Sequence, residues 1–225
     1  MEKFYPILRK SPIFDGISDS ELDAILSCLG AKVKCFAKGE TILSEGDPAN
    51  KIGVMLSGSA QIYRLDLSGN RSLMGIAMPC EIFAEAFACA DVGRMPASVS
   101  ALEESHVLLI DAKRITHSCT QACSFHQQMI YNLMRILALK NLACNQKIEI
   151  TGKRTTRDKL MTYLLMQAKE AGRADFTIPF DRQGLADYLE VDRSGLSAEM
   201  SKLKKEGVLD YYKSDFRLMN TMTGE

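Results

Sequence analysis

The sequence contains no tryptophan and only 3 histidines. It has no net charge, because 28 Lys and Arg residues balance 28 Asp and Glu residues. No stretch approaches the roughly 18 apolar residues that a membrane helix needs, and the segment from Met1 to Lys10 lacks the apolar core of a secretion signal. We therefore expect a soluble cytoplasmic protein with no membrane partner. The charge balance neither requires nor excludes nucleic acid, because the placement of basic side chains matters more than their sum.

The 7 cysteines do not form short repeated pairs, so the disulfide framework of a secreted protein is not expected. Cys28 and Cys35 leave too few ligands at the right spacing for an iron–sulfur cluster. Cys119 and Cys123 are candidates for a metal pair or a redox sensor beside Cys80 or Cys89. The simpler interpretation is that they are small buried hydrophobic residues.

Catalytic motifs are also missing. The sequence has no phosphate loop, no nucleophile elbow, no paired metal-ligand helix motif and no dinucleotide fingerprint. We therefore predict that the chain is not an enzyme. His106, His117 and His126 permit a haem ligand, but nothing in their number or spacing favours haem.

The segment from Val33 to Ile110 contains many short apolar runs separated by turn residues, which is typical of a β-sandwich or barrel. Leu67 to Asn70 is predicted to form a hairpin tip, because glycine and asparagine tolerate positive φ. A short helix is expected before the barrel, capped by Ser18 or Asp19 with Glu21 close behind.

A long helix is predicted from about Ser118 to Ile150, where neither proline nor glycine occurs. Two adjacent apolar stripes run along it, so one can pack on the barrel and the other on the same helix of a second copy. We therefore predict a homodimer, with a single buried core helix as the alternative. The residues assigned to the dimer interface are Met129, Leu133, Ile136 and Ala143, and the second stripe is Ile130, Met134 and Leu137.

The segment from Asp181 to Gly207 predicts a helix-turn-helix, with Asp181 and Asp192 as the two helix caps around a turn at Glu190 and Val191. The outer face of the second helix presents arginine and short polar side chains. Such a face suits the DNA major groove, because arginine binds guanine through two hydrogen bonds. An ordinary solvated helix is the alternative. The predicted DNA contacts are Arg193 (base), Ser194 and Ser197 (base or phosphate), Ala198 (thymine methyl), Lys202 (phosphate), Arg182 and Gln183.

A C-terminal hairpin is predicted from two short apolar strands that flank Lys213, Ser214 and Asp215. It would form a wing beside the helix-turn-helix, with Lys213 within reach of a phosphate. The break at Gly152 indicates a hinge. We predict an α+β fold with an effector-sensing β-barrel at 1–117, a dimerisation helix at 118–150 and a winged helix-turn-helix at 151–225.

From about Ser11 to Asn220 the sequence resembles the Crp/Fnr superfamily of transcription regulators. FAKGETILSEGDPANKIGVMLSGSAQIYR is similar to the family's cyclic-nucleotide-binding jelly roll. DRQGLADYLEVDRSGLSAEMSKLKKEGVL is similar to its helix-turn-helix, with Arg193 at the position of the family's guanine-reading arginine. The resemblance implies a double-stranded β-helix barrel, a homodimer on a two-fold symmetric DNA operator, and contact with RNA polymerase if the protein activates transcription. Ser194 and Ala198 replace a glutamate and a second arginine of the family's reading triplet, which leaves the operator sequence open.

The resemblance also bears on the effector. The family's phosphate-binding cassette, Gly-Glu-Leu followed by Arg-Ser-Ala, reads Ala84-Glu85-Ala86 and Met95-Pro96-Ala97 here. Without the arginine and serine nothing pairs a buried phosphate, so cyclic AMP is disfavoured. Strand alternation turns Arg94 to the opposite face.

A pocket is still expected, because Lys140 and Asn141 fall near the family's adenine-contacting pair. Its predicted residues are Phe83, Ala84, Glu85, Ala86, Met95, Pro96, Ala97, Lys140 and Asn141. Its ligand is left open between an unidentified small molecule, a redox signal and no effector at all. The alternative function is a cyclic-nucleotide-binding module that regulates a protein partner.

Overall fold

The computed structural model describes residues 2–65, 71–116 and 124–219. The predicted hairpin tip at 67–70 and the candidate ligands His117, Cys119 and Cys123 lie outside these ranges. Within them, no helix combines the length and apolarity needed to span a bilayer. The chain forms two compact units, Met1–Lys140 and Asn141–Glu225. The three-part division at 117 and 150 remains a prediction.

The first unit contains a jelly roll of two four-stranded antiparallel sheets. Its strands are β1 (Lys32–Phe36), β2 (Thr41–Leu43), β3 (Lys51–Ser57), β4 (Ala60–Leu65), β5 (Arg71–Ala77), β6 (Ile82–Phe83), β7 (Ser98–Ala101) and β8 (Ser105–Asp111). The strand orders are β1-β8-β3-β6 and β2-β7-β4-β5. Gly53 in β3 allows the ring of Phe83 to cross the strand, because a Cβ there would lie 2.1 Å from Phe83 Cζ. The predicted barrel is confirmed.

Short helices surround this barrel. They are α1 (Tyr5–Leu8), α2 (Asp19–Cys28), α3 (Glu85–Cys89) and α4 (Ala112–Thr116). The start of α2 follows from its sequence, since the Glu21 carboxylate accepts a hydrogen bond from the backbone N–H of Ser18 at 3.0 Å. The buried side chains Leu22, Ile25 and Leu26 of α2 join the core beneath the barrel.

The long helix α5 (Ser124–Thr151) extends from the first unit into the second. Its buried Asn132 donates hydrogen bonds from Nδ2 to the carbonyl oxygens of Ile13 at 3.1 Å and Asp15 at 2.7 Å. These bonds satisfy an amide that would otherwise be costly to bury. They fix which face of α5 packs on the first unit.

The second unit is a winged helix. It comprises α6 (Thr156–Ala171), β9 (Asp175–Thr177), α7 (Arg182–Leu189), α8 (Arg193–Lys205), β10 (Leu209–Tyr212) and β11 (Asp215–Leu218). The strands form one antiparallel sheet in the order β10-β11-β9. Leu160, Leu164, Leu185, Leu196 and Leu203 are buried in a common core. Both predicted aspartate caps form, since Asp181 Oδ1 accepts from Gly184 N at 2.7 Å and Asp192 Oδ2 accepts from Gly195 N at 2.8 Å.

The turn between α7 and α8 places Glu190 in the left-handed region, with φ 53° and ψ 55°. A side chain with a Cβ is strained there by about 1 kcal/mol, whereas glycine is not. We expect Glu190→Gly to raise the free energy of unfolding of the second unit by about 0.5 to 1 kcal/mol. Glu190→Ala keeps the Cβ and removes the exposed ion pair of Glu190 with Lys147, so it should give no gain. Urea unfolding of both variants tests this, and an equal gain from alanine would contradict it.

Candidate functional site

The helix α8 has one buried face and one exposed face, as its sequence predicts. Leu196, Met200 and Leu203 are fully buried and anchor α8 in the core of the second unit. The opposite face is exposed and carries one arginine, one lysine and short side chains. Its exposed residues are Arg193, Ser194, Ala198, Ser201 and Lys202, with Ser197 half-buried beside them.

Two hydroxyl groups of this face, those of Ser197 and Ser201, lie against the helix backbone. Ser197 Oγ donates to the carbonyl oxygen of Arg193 at 3.0 Å, and Ser201 Oγ donates to that of Ser197 at 2.9 Å. The side chains therefore stand low on the surface, and their oxygens keep acceptor capacity. A double helix could approach the backbone of α8 closely at this face.

The first turn of α8 is organised by Asp192. Its carboxylate accepts hydrogen bonds from the Ser194 hydroxyl and from the backbone N–H of Gly195. These bonds lower the pKa of Asp192 below its ordinary value, so the cap stays ionised at neutral pH. Arg193 beside it is exposed, and no described carboxylate lies within ion-pair distance of its guanidinium. The guanidinium is free to bind a planar acceptor pair.

Three further predicted contact residues differ in their surroundings. Arg182 is half-buried, with its guanidinium against Met200 Sδ and 5.1 Å from the ring centroid of Tyr211, so it supports α8 internally. Gln183 is exposed, and its Nε2 donates to Asp187 Oδ1 at 2.8 Å. Lys213 is exposed in the two-residue wing turn, where its ammonium lies 5.5 Å from the centroid of the Tyr212 ring.

Arg157 on α6 holds α8 in place. Its guanidinium nitrogens lie 3.5 Å from Glu199 Oε1 and 2.6 Å from Glu206 Oε2. The hydrogen bond from Arg157 lowers the pKa of Glu206, and the bond to Glu206 raises the pKa of Arg157. Sequence reasoning did not identify this ion-pair group, because its members are far apart in the chain.

The ion pair predicts an acid dependence of stability. A carboxyl group with a lowered pKa stabilises the folded state above its ordinary pKa, here 4.5, and this contribution is lost as the pH falls. We expect Arg157→Met to reduce the difference between the urea midpoints at about pH 7 and about pH 3. Arg173→Met is the matched control, since Arg173 is exposed and no ion pair links it to a described residue. An unchanged pH dependence in Arg157→Met would contradict this role.

A second candidate site is a cavity of about 700 Å³ in the first unit. Its walls come from β5, from the segment around α3 and from α5. The predicted residues Phe83, Ala84, Glu85, Ala86 and Lys140 line it. The residues that sequence reasoning missed are Lys10, Pro12, Ile62, Met74, Gly75, Ile76, Ala77, Cys80, Glu81, Ile82, Phe87, Ile136 and Leu139.

Four predicted pocket residues do not line this cavity, and this corrects the sequence interpretation. Met95 and Ala97 are buried in the barrel core, where they fill the interior with apolar atoms. The Pro96 carbonyl oxygen accepts a hydrogen bond from Arg64 Nε at 2.8 Å. Asn141 is exposed on the part of α5 that belongs to the second unit. Arg94 also faces elsewhere, because its Nη1 donates to the Gly46 carbonyl at 2.7 Å.

An ion pair with one buried member lies in the wall of the cavity. Glu85 is only 3% exposed, and its Oε1 accepts a hydrogen bond from Lys140 Nζ at 2.6 Å. Lys140 Nζ also donates to the Ile82 carbonyl oxygen at 2.9 Å. The lysine that interrupts the apolar pattern of α5 therefore has a structural partner in the barrel.

The face of α5 assigned to the dimer interface is a further correction. Met129, Leu133 and Ile136 are 0%, 3% and 9% exposed because they pack into the core of the first unit. They are not available to a second copy, while Ala143 is exposed. Large apolar side chains are exposed elsewhere on α5, namely at Tyr131, Met134, Leu139, Leu142 and Ile148.

The described cysteines do not form a metal site. Among the described residues, no group of three His, Cys, Asp or Glu side chains could hold a metal ion. Burial and the charge of Glu85 raise the pKa of the Cys89 thiol, which disfavours the reactive thiolate. Neither His106 nor His126 lines the cavity.

Two family models match this chain. The cyclic nucleotide-binding domain matches residues 33–121, and the Crp-like helix-turn-helix domain matches residues 158–221. The transcriptional activator protein FnrA of Stutzerimonas stutzeri is 22% identical over 190 residues, which cover 82% of this chain and 75% of that protein. The cyclic AMP receptor protein of Thermus thermophilus is 22% identical over 202 residues, which cover 90% of this chain and 89% of that protein.

A solved structure has a similar fold. The global regulator CLP of Xanthomonas campestris, described as c-di-GMP responsive, aligns with a TM-score of 0.56 at 16% identity. The alignment covers 91% of this chain and 100% of that one, and it supports the fold. With a nucleotide-binding-type barrel followed by a winged helix-turn-helix, the chain belongs to the Crp/Fnr family of transcription regulators.

Proposed function

We propose that this regulator binds a specific DNA sequence as a homodimer, through the exposed face of α8. The observation that carries the proposal is the exposed guanidinium of Arg193, which no described carboxylate pairs, at the start of a face of short side chains. An exposed arginine surrounded by short side chains suits the recognition of bases in the DNA major groove. DNA binding also gives the expected location, the cytoplasm, where a bacterial-type regulator meets the chromosome.

Each residue of this face has a proposed role. Arg193 donates two hydrogen bonds to a guanine, and Ala198 contacts a thymine methyl group. Ser194 and Ser197 bind a base edge or a phosphate, and Lys202 binds a phosphate. Gln183 and Lys213 contact the phosphate backbone of the DNA on either side of α8, since both are exposed near the ends of their elements. Arg182 packs against the buried side of α8. A contact with DNA would remove the packing of its guanidinium against Met200 and Tyr211.

The dimer would form through an exposed apolar face of α5 that shares only Met134 with the predicted second stripe, since Ile130 and Leu137 are half-buried. Tyr131, Met134, Ala138 and Leu142 are exposed at spacings of three and four residues, the spacing of one helix face. Met134 and Leu142 are 57% and 59% exposed, a costly arrangement for apolar side chains unless a second surface covers them. A second copy of α5 would bury this face on both chains at once.

In such a dimer, the two α8 helices would enter successive major grooves about 34 Å apart on a two-fold symmetric operator. The cavity would hold a small effector, since α5 contributes walls both to the cavity and to the proposed dimer surface. A ligand would shift the balance between two arrangements around the proposed hinge near Gly152 only if it binds one arrangement more tightly than the other. If the protein activates transcription, RNA polymerase is its further partner.

Selection of duplexes from a random pool with the purified chain tests this function. We expect an enriched motif made of two inverted half-sites whose centres lie about one helical turn apart. The bound species should contain two copies of the chain by light scattering. Enrichment of no motif at low salt, with cell extract supplied as a source of effector, would contradict the proposed function.

A further inference from the structure

The cavity of the first unit has the volume of a ligand site for an organic molecule. At about 700 Å³ it lies within the range of roughly 300 to 1,000 Å³ that holds such ligands. Its wall is mostly apolar, formed by side chains such as Ile62, Phe83, Phe87, Ile136 and Leu139. A ligand that fits this wall must itself be mostly apolar, because an unpaired polar group in such a space is penalised.

Among the described residues, neither an arginine nor a serine lines this cavity. The positions where an arginine and a serine would hold a phosphate are occupied by the packed side chains of Met95 and Ala97. Arg94, the nearest cation in the sequence, is bonded to the Gly46 carbonyl. A cyclic nucleotide would therefore depend for its phosphate charge on Lys140, which is already paired with Glu85.

The sign of the buried charge determines which polar group a ligand can carry. Glu85 is the buried acidic side chain of the cavity, and its partner Lys140 has a side chain that is 52% exposed. The other charged groups of the wall, Lys10 and Glu81, are exposed and therefore screened by water. A ligand anion would compete with Glu85 for Lys140, whereas a hydroxyl or amine can donate to the carboxylate.

We propose that the cavity binds a neutral, predominantly apolar organic molecule that donates one hydrogen bond to Glu85. Lys140 links this contact to α5, since its ammonium bridges Glu85 and the Ile82 carbonyl. A ligand that changes this bridge changes the position of α5 on the barrel. The regulatory consequence rests on the proposed function, while the binding itself does not depend on DNA.

Fluorescence titration with 1-aminoanthracene, a neutral apolar amine, tests the proposal on the full chain. We expect saturable binding of about one probe per chain that octan-1-ol displaces. Octanoate and cyclic AMP should displace the probe at least about tenfold less effectively, because each brings an anion to Glu85. Displacement by octanoate or cyclic AMP as effective as that by octan-1-ol would overturn the proposal, as would the absence of probe binding.

Two leucine substitutions on β5 locate the bound probe. Gly75 lines the cavity, and a Cβ placed there would meet only Ile62 Cδ1, at 3.9 Å. Gly75→Leu should fill part of the cavity and weaken probe binding at least about tenfold, because the probe could then bury less of its apolar surface. Ser72→Leu adds the same side chain on the same strand outside the cavity wall and should leave binding unchanged. Equal binding by the two variants would place the probe elsewhere and overturn the proposal.

Glu85→Gln removes the buried charge while keeping a hydrogen-bond acceptor. We expect octanoate to approach octan-1-ol in displacing the probe from this variant. An unchanged preference would overturn the role of Glu85. Binding of selected DNA by the same samples separates the two claims, since DNA binding without probe binding refutes the cavity proposal alone. Probe binding without DNA binding refutes the proposed function alone.

Discussion

The double variant Met134→Glu and Leu142→Glu is expected to be a folded monomer with DNA affinity at least about a hundredfold below that of the wild type. Both side chains are more than half exposed on α5, so glutamate does not disturb the core of the first unit. In a dimer the same positions would bring four carboxylates into an apolar interface. The repulsion and desolvation would separate the chains. Sedimentation at micromolar concentration and titration with a two-half-site duplex measure both effects.

Leu165→Glu is the control for this experiment. Leu165 is 42% exposed on α6, so the change adds a carboxylate to an exposed apolar position outside the proposed interface. It should leave the mass and the affinity unchanged. By contrast, Leu133→Glu would place a carboxylate among the buried side chains of the first unit and should unfold it. A double variant that remains dimeric would refute the proposed interface.

Arg193→Ala is expected to weaken specific binding by about 1 to 3 kcal/mol and to relax the preference at one base pair in each half-site. The alanine removes both hydrogen bonds to the proposed guanine but leaves the cap of α8 intact, because Asp192 supplies the cap. Selection from a random pool with this variant measures the loss directly. Recovery of the wild-type motif with equal strength would refute the assignment of Arg193.

Two neighbouring substitutions separate base reading from charge. Arg193→Lys keeps the positive charge without the planar pair of donors, so it should lose specificity while keeping the salt dependence of binding. Lys202→Ala should weaken binding to every sequence and reduce the slope of log affinity against log salt by about 1. If Arg193→Lys keeps full specificity, Arg193 acts as a point charge and not as a base reader.

The sequence predicted the barrel and the helix-turn-helix well because the signals for both are local. Asp181 and Asp192 are capping residues, and each accepts the hydrogen bond expected of a cap. Glu190 ends α7 in a left-handed conformation that propensity alone disfavours. The turn forms there because the packing of α7 against α8 requires it.

The sequence did not determine which face of α5 packs on the barrel. Both stripes are apolar, so the periodicity of Met129 and Leu133 looks like that of Ile130 and Met134. The choice depends on tertiary contacts, such as the bonds from the buried Asn132 to the carbonyl oxygens of Ile13 and Asp15. The available signal was the polar Asn132, which lies on the same side of α5 as Met129 and Leu133.

The cavity was predicted only in part, for a related reason. A missing arginine in the phosphate cassette indicates what the site does not bind, but it does not indicate how the space is filled. Met95 occupies the barrel interior, and the open volume lies instead against β5 and α5. Gly75 and Ile62 come from strands that no sequence pattern associates with Lys140.

Photo-crosslinking from the exposed face of α8 tests the central claim most directly. Benzoylphenylalanine at Ser201, an exposed position on that face, should crosslink to a selected duplex in two patches about ten base pairs apart. The same residue at Leu165 on α6 should give no crosslink. Crosslinking from Leu165 but not from Ser201 would contradict the account, because the DNA would then lie against a different surface of the second unit.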